Sequence, residues 1–261
     1  WADIVAYIKA NPDFHVYEDP MQGTMVKYAR ALLQELAKDA GRPFFTMIHE
    51  NNMDAKFTEV DGQPRPEAPG SHKTIRDLVS GFQGKAFGLM QDGDADRFGN
   101  IDFDSAFIGA NDMMALIAYF LAKDIGLKGQ IGKTVATSNM VNAIAAFLNA
   151  GEVDEEAVGF KWFVEKIVSQ GRQYLIAGEE SAHVGVGPFM KSWDDGLVVG
   201  LMGLWIVTRT GMSLQEYKEK VLEALDMRFQ ISTLTLRGKN DSVKNETNRK
   251  IAQAKEELAV G

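Results

Sequence analysis

The residues best suited to chemistry form the run Asp-Gly-Asp-Ala-Asp-Arg at residues 92–97, directly after an apolar stretch typical of a buried strand. Three carboxylates at alternate positions of a tight, glycine-containing loop can converge on one point, and their mutual repulsion favours a bound cation. Because the ligands are all oxygens, the loop favours a hard ion such as Mg²⁺ or Ca²⁺. A solvated acidic turn is the alternative. It does not explain why an arginine closes the loop at the carboxyl end of a strand, where α/β proteins bind ligands.

An EF-hand is the obvious competitor, because its calcium loop also places acidic residues at alternate positions. That loop needs glycine at its sixth position and glutamate at its twelfth. Counted from Asp92, these positions hold Arg97 and Phe103. The pattern therefore excludes an EF-hand.

A second polar run, Gly-Glu-Glu-Ser-Ala-His at residues 178–183, also follows a predicted strand. Carboxylate, hydroxyl and imidazole groups in one short loop are suited to holding sugar hydroxyls. A metal-binding role for His183 is not favoured, since the other three histidines, His15, His49 and His72, do not stand at a ligand spacing from it.

A lysine stands in the run Gly-Phe-Lys-Trp at residues 159–162, where a loop meets a predicted helix. At such a junction Lys161 could contact a phosphate as a point charge. Taken alone, the residue is also typical of an ordinary surface lysine.

The composition is that of an ordinary, mildly acidic globular protein. Of the 261 residues, 45% are hydrophobic and 25% charged, and 28 Lys+Arg against 36 Asp+Glu give a formal net charge of −8. The length allows two domains with cores of their own, and the charge favours neither nucleic acid nor an anionic membrane as a partner. The absence of cysteine excludes disulfides, thiolate zinc sites and cysteine nucleophiles.

The apolar runs and the start of the chain bear on location. The longest nearly apolar run, residues 197–208, is well short of the about 20 residues that span a bilayer, so it predicts a buried helix. No signal peptide is visible, and a cytoplasmic location is expected. Because the sequence begins at Trp1 rather than at a methionine, we expect it to be a piece of a longer chain.

Alternating strands and helices must position these loops. Strands are predicted at residues 14–17, 44–48, 86–90, 134–137 and 174–177, and helices at residues 24–41 with Thr24 as N-cap, 75–82, 113–121, 141–148, 162–168, from 197 onward, and 213–225. This order favours an α/β fold of two α/β/α domains, each a mixed, mostly parallel sheet flanked by helices. The domains are expected at residues 1–108 and 109–226. A tail at 227–261 is expected to contain a β-like stretch at 229–236 and a charged helix at 243–258.

Taken together, the three loops resemble those of the α-D-phosphohexomutase superfamily, the phosphoglucomutases and phosphomannomutases. In that family an Asp-Gly-Asp-x-Asp-Arg loop lies in the second domain and a Gly-Glu-x-Ser loop in the third. Here they correspond to residues 92–97 and 178–181, and Gly-Phe-Lys at 159–161 matches the third domain as well. The resemblance runs from about Val16 to Leu225.

The resemblance implies a reversible transfer of phosphate between O1 and O6 of a hexose, through a phosphoserine and a bisphosphate intermediate, with Mg²⁺ as cofactor. It implies that Asp92, Asp94 and Asp96 are the metal ligands and that Arg97 faces the transferring phosphate. It further implies that the substrate is held by the polar residues of the other two loops, which are Lys161, Glu179, Ser181 and His183.

Two positions depart from the family pattern. Many members carry Lys-Asp-Gly after the Gly-Glu-x-Ser loop. At the matching place this chain has Asp194-Asp195-Gly196, and its nearest lysine is Lys191. In addition, Ala182 stands where a glycine often follows the loop serine, which stiffens the turn.

The family's nucleophile loop, in its first domain, and its phosphate-binding loop, in its fourth, do not occur in these residues. We therefore expect the central two domains of a four-domain hexose phosphate mutase, acting on glucose or mannose phosphate and inactive alone. The partners implied are the hexose phosphate and the N-terminal phosphoserine and C-terminal phosphate-binding domains of the same chain. The alternatives are a non-catalytic module that binds metal or sugar phosphate, and a phosphatase with an aspartate nucleophile in residues 92–96.

Overall fold

Two β-sheets organise the chain, and each is built around parallel strands. The computed structural model describes residues 1–68, 70–187 and 194–227. The helices are α1 (Ala2–Ala10), α2 (Val26–Ala40), α3 (Lys73–Gly81), α4 (Ala110–Tyr119), α5 (Met140–Phe147), α6 (Lys161–Gln170), α7 (Gly196–Thr210) and α8 (Leu214–Ala224). The strands are β1 (Phe14–Asp19), β2 (Phe45–Met47), β3 (Lys85–Gln91), β4 (Phe98–Ile101), β5 (Phe107–Ile108), β6 (Gln130–Thr134), β7 (Asp154–Glu156), β8 (Tyr174–Gly178) and β9 (Val184–Gly185).

The two sheets have closely related topologies. The first has the order β2-β1-β3-β4-β5, with β2, β1 and β3 parallel and the last two strands antiparallel. The second has the order β7-β6-β8-β9, with only β9 antiparallel. In both sheets, helices fill the connections between parallel strands, as crossover geometry requires. The expected α/β fold with mixed, mostly parallel sheets is confirmed.

The same kind of connection carries both polar loops. Residues 92–97 join β3 to β4, and residues 179–183 join β8 to β9, so each loop is a hairpin between a parallel strand and its antiparallel neighbour. Strands β4 and β9 are too short to show a hydrophobic alternation, which is why the sequence pattern does not predict them.

The helix α7 packs against the first sheet although it follows the second in the chain. It contacts α1, β3 and β4. Buried Asn100 of β4 donates from Nδ2 to the carbonyl oxygens of Gly200, at 3.3 Å, and of Gly88, at 3.4 Å. A methyl group on Gly203 of α7 would lie 2.9 Å from Asn100 Oδ1, so a glycine at this position lets the helix approach the sheet closely. Residues distant in the chain therefore share one core.

Two local predictions are wrong. A strand is expected at 134–137, but β6 covers Gln130–Thr134 instead. The sequence pattern misses it because the strand contains Gly132, which packs against Phe163 and Tyr174, and carries little hydrophobic pattern. Thr24 is not the N-cap of α2. Met25 occupies that position without a side-chain bond, and the Thr24 amide donates to Gly93 O instead. The tail at 227–261, apart from its first residue, lies outside the described residues, as does Lys191.

Within the described ranges, no single helix is long and apolar enough to cross a membrane. Helices α7 and α8 reach that length and composition only when taken together, and they are bent by 78° at the break between them.

Helix α8 begins against the first sheet, where Asp102 caps it. Asp102 Oδ1 accepts from the Leu214 amide at 3.1 Å, and Oδ2 accepts from the Gln215 amide at 2.9 Å. The next amide, of Glu216, donates to Ser213 Oγ. Side chains thus accept hydrogen bonds from all three amides of the first turn. The Leu214 and Gln215 amides donate to Asp102, which lies far away in the chain, and the Glu216 amide donates to Ser213.

We expect Asp102→Ala to lower the free energy of unfolding by about 2–3 kcal/mol, since it leaves two backbone amides of α8 without an acceptor. Urea denaturation followed by circular dichroism measures the change. Asp104→Ala is the matched control. It removes an exposed aspartate that accepts one amide, from Ala106, and should cost less than about 1 kcal/mol. Equal effects of the two substitutions would contradict the capping role.

Candidate active site

The loop at residues 92–97, called the aspartate loop below, brings its three aspartates together. One carboxylate oxygen from each of Asp92, Asp94 and Asp96 lies within 4.8 Å of the others. Asp92 is fully buried at the end of β3, Asp96 is half-buried and Asp94 is exposed. The oxygens therefore converge at the edge of the fold, where an ion can enter from solvent. This donor set fits a hard divalent cation.

Arg97 compensates part of this negative charge. The Arg97 amide donates to Asp92 Oδ1 at 3.0 Å, and Arg97 Nε lies 2.7 Å from Asp92 Oδ2. The second contact lacks hydrogen-bond geometry, so Asp92 Oδ2 is buried without a donor among the described residues. Burial raises the pKa of Asp92 to about 7, against the lowering by Arg97. A bound cation would restore the ionised form.

Two glycines hold the loop by its backbone. A methyl group on Gly23 would lie 2.6 Å from Gly93 O and 2.7 Å from Asp92 O. A methyl group on Gly196 would lie only 2.1 Å from Arg97 O, and the Gly196 amide donates to Ala95 O at 2.9 Å. Only glycine permits such approaches. The loop is fixed between the segment after β1 and the first residue of α7.

The segment that contains Gly23 is itself held in a strained conformation. Met21 and Gln22 both have φ in the left-handed region, at 47° and 59°. Buried Asp19 accepts the Met21 amide at 2.9 Å and contacts His49 Nδ1 at 2.9 Å. The bond to Asp19 raises the pKa of His49. This pair stabilises a backbone that the residue types alone disfavour.

The second loop connects three strand ends of the second sheet. Glu179 is buried, and its Oε2 accepts the Gly159 amide at 2.8 Å. Glu180 accepts from the Thr134 hydroxyl at 3.3 Å. Ser181 is half-buried and forms no side-chain hydrogen bond with the described residues, so its hydroxyl remains available. Ala182 has φ of 76°, a left-handed value that suits the glycine of the family pattern better.

His183 joins the two loops. Its Nδ1 lies 2.8 Å from Asp194 Oδ2 and 3.4 Å from Asp96 Oδ2. The hydrogen bond to Asp194 raises the pKa of His183. The three side chains also form a second group that could hold a metal ion, a possibility that histidine spacing in the sequence did not indicate.

Each of the three loops contributes at least one predicted residue to a cleft of about 460 Å³, whereas Asp92, Asp94, Arg97 and Ser181 lie outside its lining. Asp96 lies in its wall together with Lys161, Glu179, His183 and Asp194. The Lys161 ammonium group is exposed and lies 4.9 Å from the centre of the Trp162 ring. Carboxylate, imidazole and ammonium groups therefore face the same space, an arrangement that can bind both hydroxyl and phosphate groups.

Sequence reasoning missed the part that Asp194 takes in this site. It stands where the family pattern expects a lysine, and no local motif marks an aspartate at that point as a partner of His183. The preference of helix starts for aspartate applies to its neighbour Asp195, whose carboxylate accepts the Val198 amide at the start of α7.

Comparisons with known proteins agree with this geometry. Residues 3–105 match the family model of phosphoglucomutase/phosphomannomutase alpha/beta/alpha domain II. Residues 110–225 match the model of alpha/beta/alpha domain III of the same family. The two matches include every predicted site residue.

Individual relatives are similar at moderate identity. A phosphoglucosamine mutase of Geobacter metallireducens is 28% identical over 204 residues, which are 78% of this chain and 42% of the relative. One of an Arthrobacter species is 34% identical over 134 residues, 51% of this chain and 29% of the relative. The structure of parafusin, a phosphoglucomutase of Paramecium, superposes with a TM-score of 0.68 at 22% identity, covering 85% of this chain and 39% of that one. The chain thus spans less than half the length of these proteins.

We expect Gly196→Ala to weaken Mg²⁺ binding by about tenfold or more, because the added methyl group must displace Arg97 and with it the aspartate loop. Isothermal titration calorimetry measures the affinity, and a thermal melt shows whether the variant remains folded. Gly81→Ala is the control, since that glycine also lies in a helix and has open space around it. Unchanged Mg²⁺ affinity in a folded Gly196→Ala variant would show that this contact does not position the loop.

Proposed function

Because the chain belongs to the phosphoglucomutase/phosphomannomutase family, we propose that it forms the metal-binding and sugar-binding part of an enzyme that moves phosphate between O1 and O6 of a hexose. The observation that carries this proposal is the single cleft shared by the aspartate loop and the Gly-Glu-Glu-Ser loop. Their contact through Asp96, His183 and Asp194 places sugar-binding groups beside the candidate metal ligands.

The proposed metal ligands are Asp92, Asp94 and Asp96, and the proposed ion is Mg²⁺. Oxygen donors alone, with room for water at the exposed Asp94, suit this ion. When bound, Mg²⁺ neutralises negative charge on a phosphoryl group during its transfer. Arg97, already beside Asp92, would face the same phosphoryl group and orient it through its guanidinium.

The proposed sugar contacts lie across the cleft. Glu179 and the free hydroxyl of Ser181 would hold sugar hydroxyls. His183, kept in place by Asp194, would donate to the substrate, and Lys161 would bind its distal phosphate as a point charge. The burial of Glu179 and its bond to Gly159 fix the loop before substrate arrives, which lowers the entropy cost of binding.

The remaining parts of the proposal concern the longer protein. We place the domain boundary near residue 108, between the two sheets. The chain spans 42% of the Geobacter relative, so we propose that other segments of the parent protein supply the phosphoserine and the phosphate-binding loop. Cytoplasmic location belongs to the same proposal, supported by a reaction that uses sugar phosphates and by a chain without cysteine.

An amino sugar is a second candidate for the substrate. The loop sequence favours glucose or mannose phosphate, whereas the Geobacter and Arthrobacter relatives are phosphoglucosamine mutases. The geometry around Glu179 and Ser181 suits hydroxyl groups and equally an amino group beside a carboxylate. The proposed substrate class is therefore a hexose phosphate. An assay decides whether its carbon 2 carries a hydroxyl or an amino group.

The metal site is tested by Asp94→Asn, which should weaken Mg²⁺ binding of this chain by about tenfold through loss of one ligand charge. Calorimetry with Mg²⁺ alone measures the affinity. Asp104→Asn is the matched control, because it removes an exposed aspartate of another turn, and its affinity should equal that of the unaltered chain. Equal binding by the Asp94→Asn variant would remove this residue from the site.

The reaction is tested on the full-length parent protein with the 1-phosphates of glucose, mannose and glucosamine. We expect Mg²⁺-dependent conversion of at least one of them to its 6-phosphate, and no turnover by residues 1–261 alone. Binding of hexose phosphate without conversion by the parent would favour the non-catalytic module. Vanadate-sensitive release of inorganic phosphate would favour the phosphatase.

A further inference from the structure

A second cleft, of about 610 Å³, also opens onto the aspartate loop. The first cleft contains Asp96, whereas this one is lined by Asp92, Asp94 and Arg97. Its opposite wall is the proline-rich segment at residues 61–68, which carries Arg65 into the lining. The candidate metal ligands therefore face two spaces, only one of which contains the proposed sugar contacts.

The proline-rich segment is packed onto the aspartate loop and the strand that follows it. Pro64 lies against Gly93, where an added methyl group would be 3.2 Å from Pro64 Cγ. Glu67 Oε1 accepts from Arg97 Nη1 at 3.3 Å. These contacts hold the backbone on both sides of Arg65, and so they fix where its side chain can reach.

The backbone of Arg65 is also restrained by its own turns. Its amide donates to Gln63 O at 2.7 Å, and its carbonyl oxygen accepts the Ala68 amide at 3.1 Å. A side chain on such a backbone loses less entropy when it binds than one on an unrestrained loop. The restrained backbone therefore favours binding of a ligand by the Arg65 side chain.

Arg65 and Arg97 differ in what they already bind. Arg97 contacts Asp92 and Glu67 and lies 3.6 Å from Asp96. Within the described part of the chain, Arg65 is exposed and forms no ion pair or side-chain hydrogen bond. One guanidinium group of the cleft is thus engaged by the protein, and the other has its donors available.

The charge that the cleft can accept depends on the metal. With the three aspartates alone, an anion is repelled. A divalent cation and Arg97 together would offset the three carboxylates, and Arg65 would offset the remaining charge of Glu67, which lies beside Arg97. The guanidinium of Arg65 also offers a planar set of donors that matches two phosphate oxygens. With the metal bound, the aspartates would therefore no longer repel a phosphate dianion from this cleft.

We propose that Arg65 binds the phosphate group of a phosphate monoester at the metal-facing side of the aspartate loop. This inference rests on the proposed function, which it extends by naming a residue outside the motifs of the family. The monoester comes either from the hexose phosphate or from a phosphoserine. Both present the same dianionic group.

The proposal is tested by calorimetric titration of inorganic phosphate into this chain at saturating Mg²⁺. Arg65→Gln should weaken phosphate binding by about tenfold or more, since a charge-assisted pair of hydrogen bonds is lost. Arg65→Lys, which keeps the charge but not the fork of donors, should give an intermediate loss. Arg76→Gln is the control, because exposed Arg76 donates to Ser105 O at a place away from the cleft.

The affinity for Mg²⁺ distinguishes phosphate binding from a structural role. Removal of a nearby positive charge should leave Mg²⁺ binding by Arg65→Gln unchanged or tighter. Collapse of the proline-rich segment would instead weaken Mg²⁺ and phosphate together, and that result overturns the proposal. Phosphate affinity of Arg65→Gln within twofold of the unaltered chain also overturns it, while leaving the proposed function intact.

The source of the phosphate follows from a parallel titration with glucose 6-phosphate and with O-phosphoserine. The ligand whose affinity falls in Arg65→Gln is the one that Arg65 binds, and a fall for either supports the proposal. If the unaltered chain binds neither Mg²⁺ nor any of these phosphates, the proposed function fails, and the role of Arg65 fails with it.

Discussion

The structure depends on the close backbone contacts that Gly23 and Gly196 make with the aspartate loop. A hairpin with three carboxylates is unstable in isolation, because the charges repel one another and the backbone turns tightly. Here the loop is confined between two elements that are distant in the chain, and the contacts leave no room for a side chain at either glycine. The loop conformation is thereby imposed by packing rather than by its own residues.

The electrostatics of the site follow from that confinement. Asp92 is fully buried with one oxygen lacking a hydrogen-bond donor, and burial raises its pKa to about 7. Arg97 offsets the charge only in part, so the protein retains uncompensated negative charge that a bound divalent cation would neutralise. Each polar loop also contains an alanine with a left-handed backbone conformation, Ala95 in one and Ala182 in the other. Backbone strain of this kind concentrates at functional sites.

Helix α7 connects these features. Gly196, the first residue of the helix, contacts the aspartate loop. Asp194, two residues earlier in the chain, binds His183. The rest of the helix covers β3 and β4. The helix follows the second sheet in sequence but completes the core of the first. The relative position of the two polar loops is therefore set by one buried helix, and its glycines permit the approach that this position requires.

The sequence alone determined the local chemistry. The two polar runs, the parallel strands β1, β3 and β8, and most helices follow from motifs and periodicities that lie within a few residues of one another, and the family resemblance is confirmed. The tertiary structure decided which carboxylate is buried, that His183 meets Asp194 and Asp96, and that Arg65 faces the aspartate loop. Those outcomes depend on contacts between residues far apart in the chain, where burial and close packing are summed over the whole fold, and no local pattern encodes them.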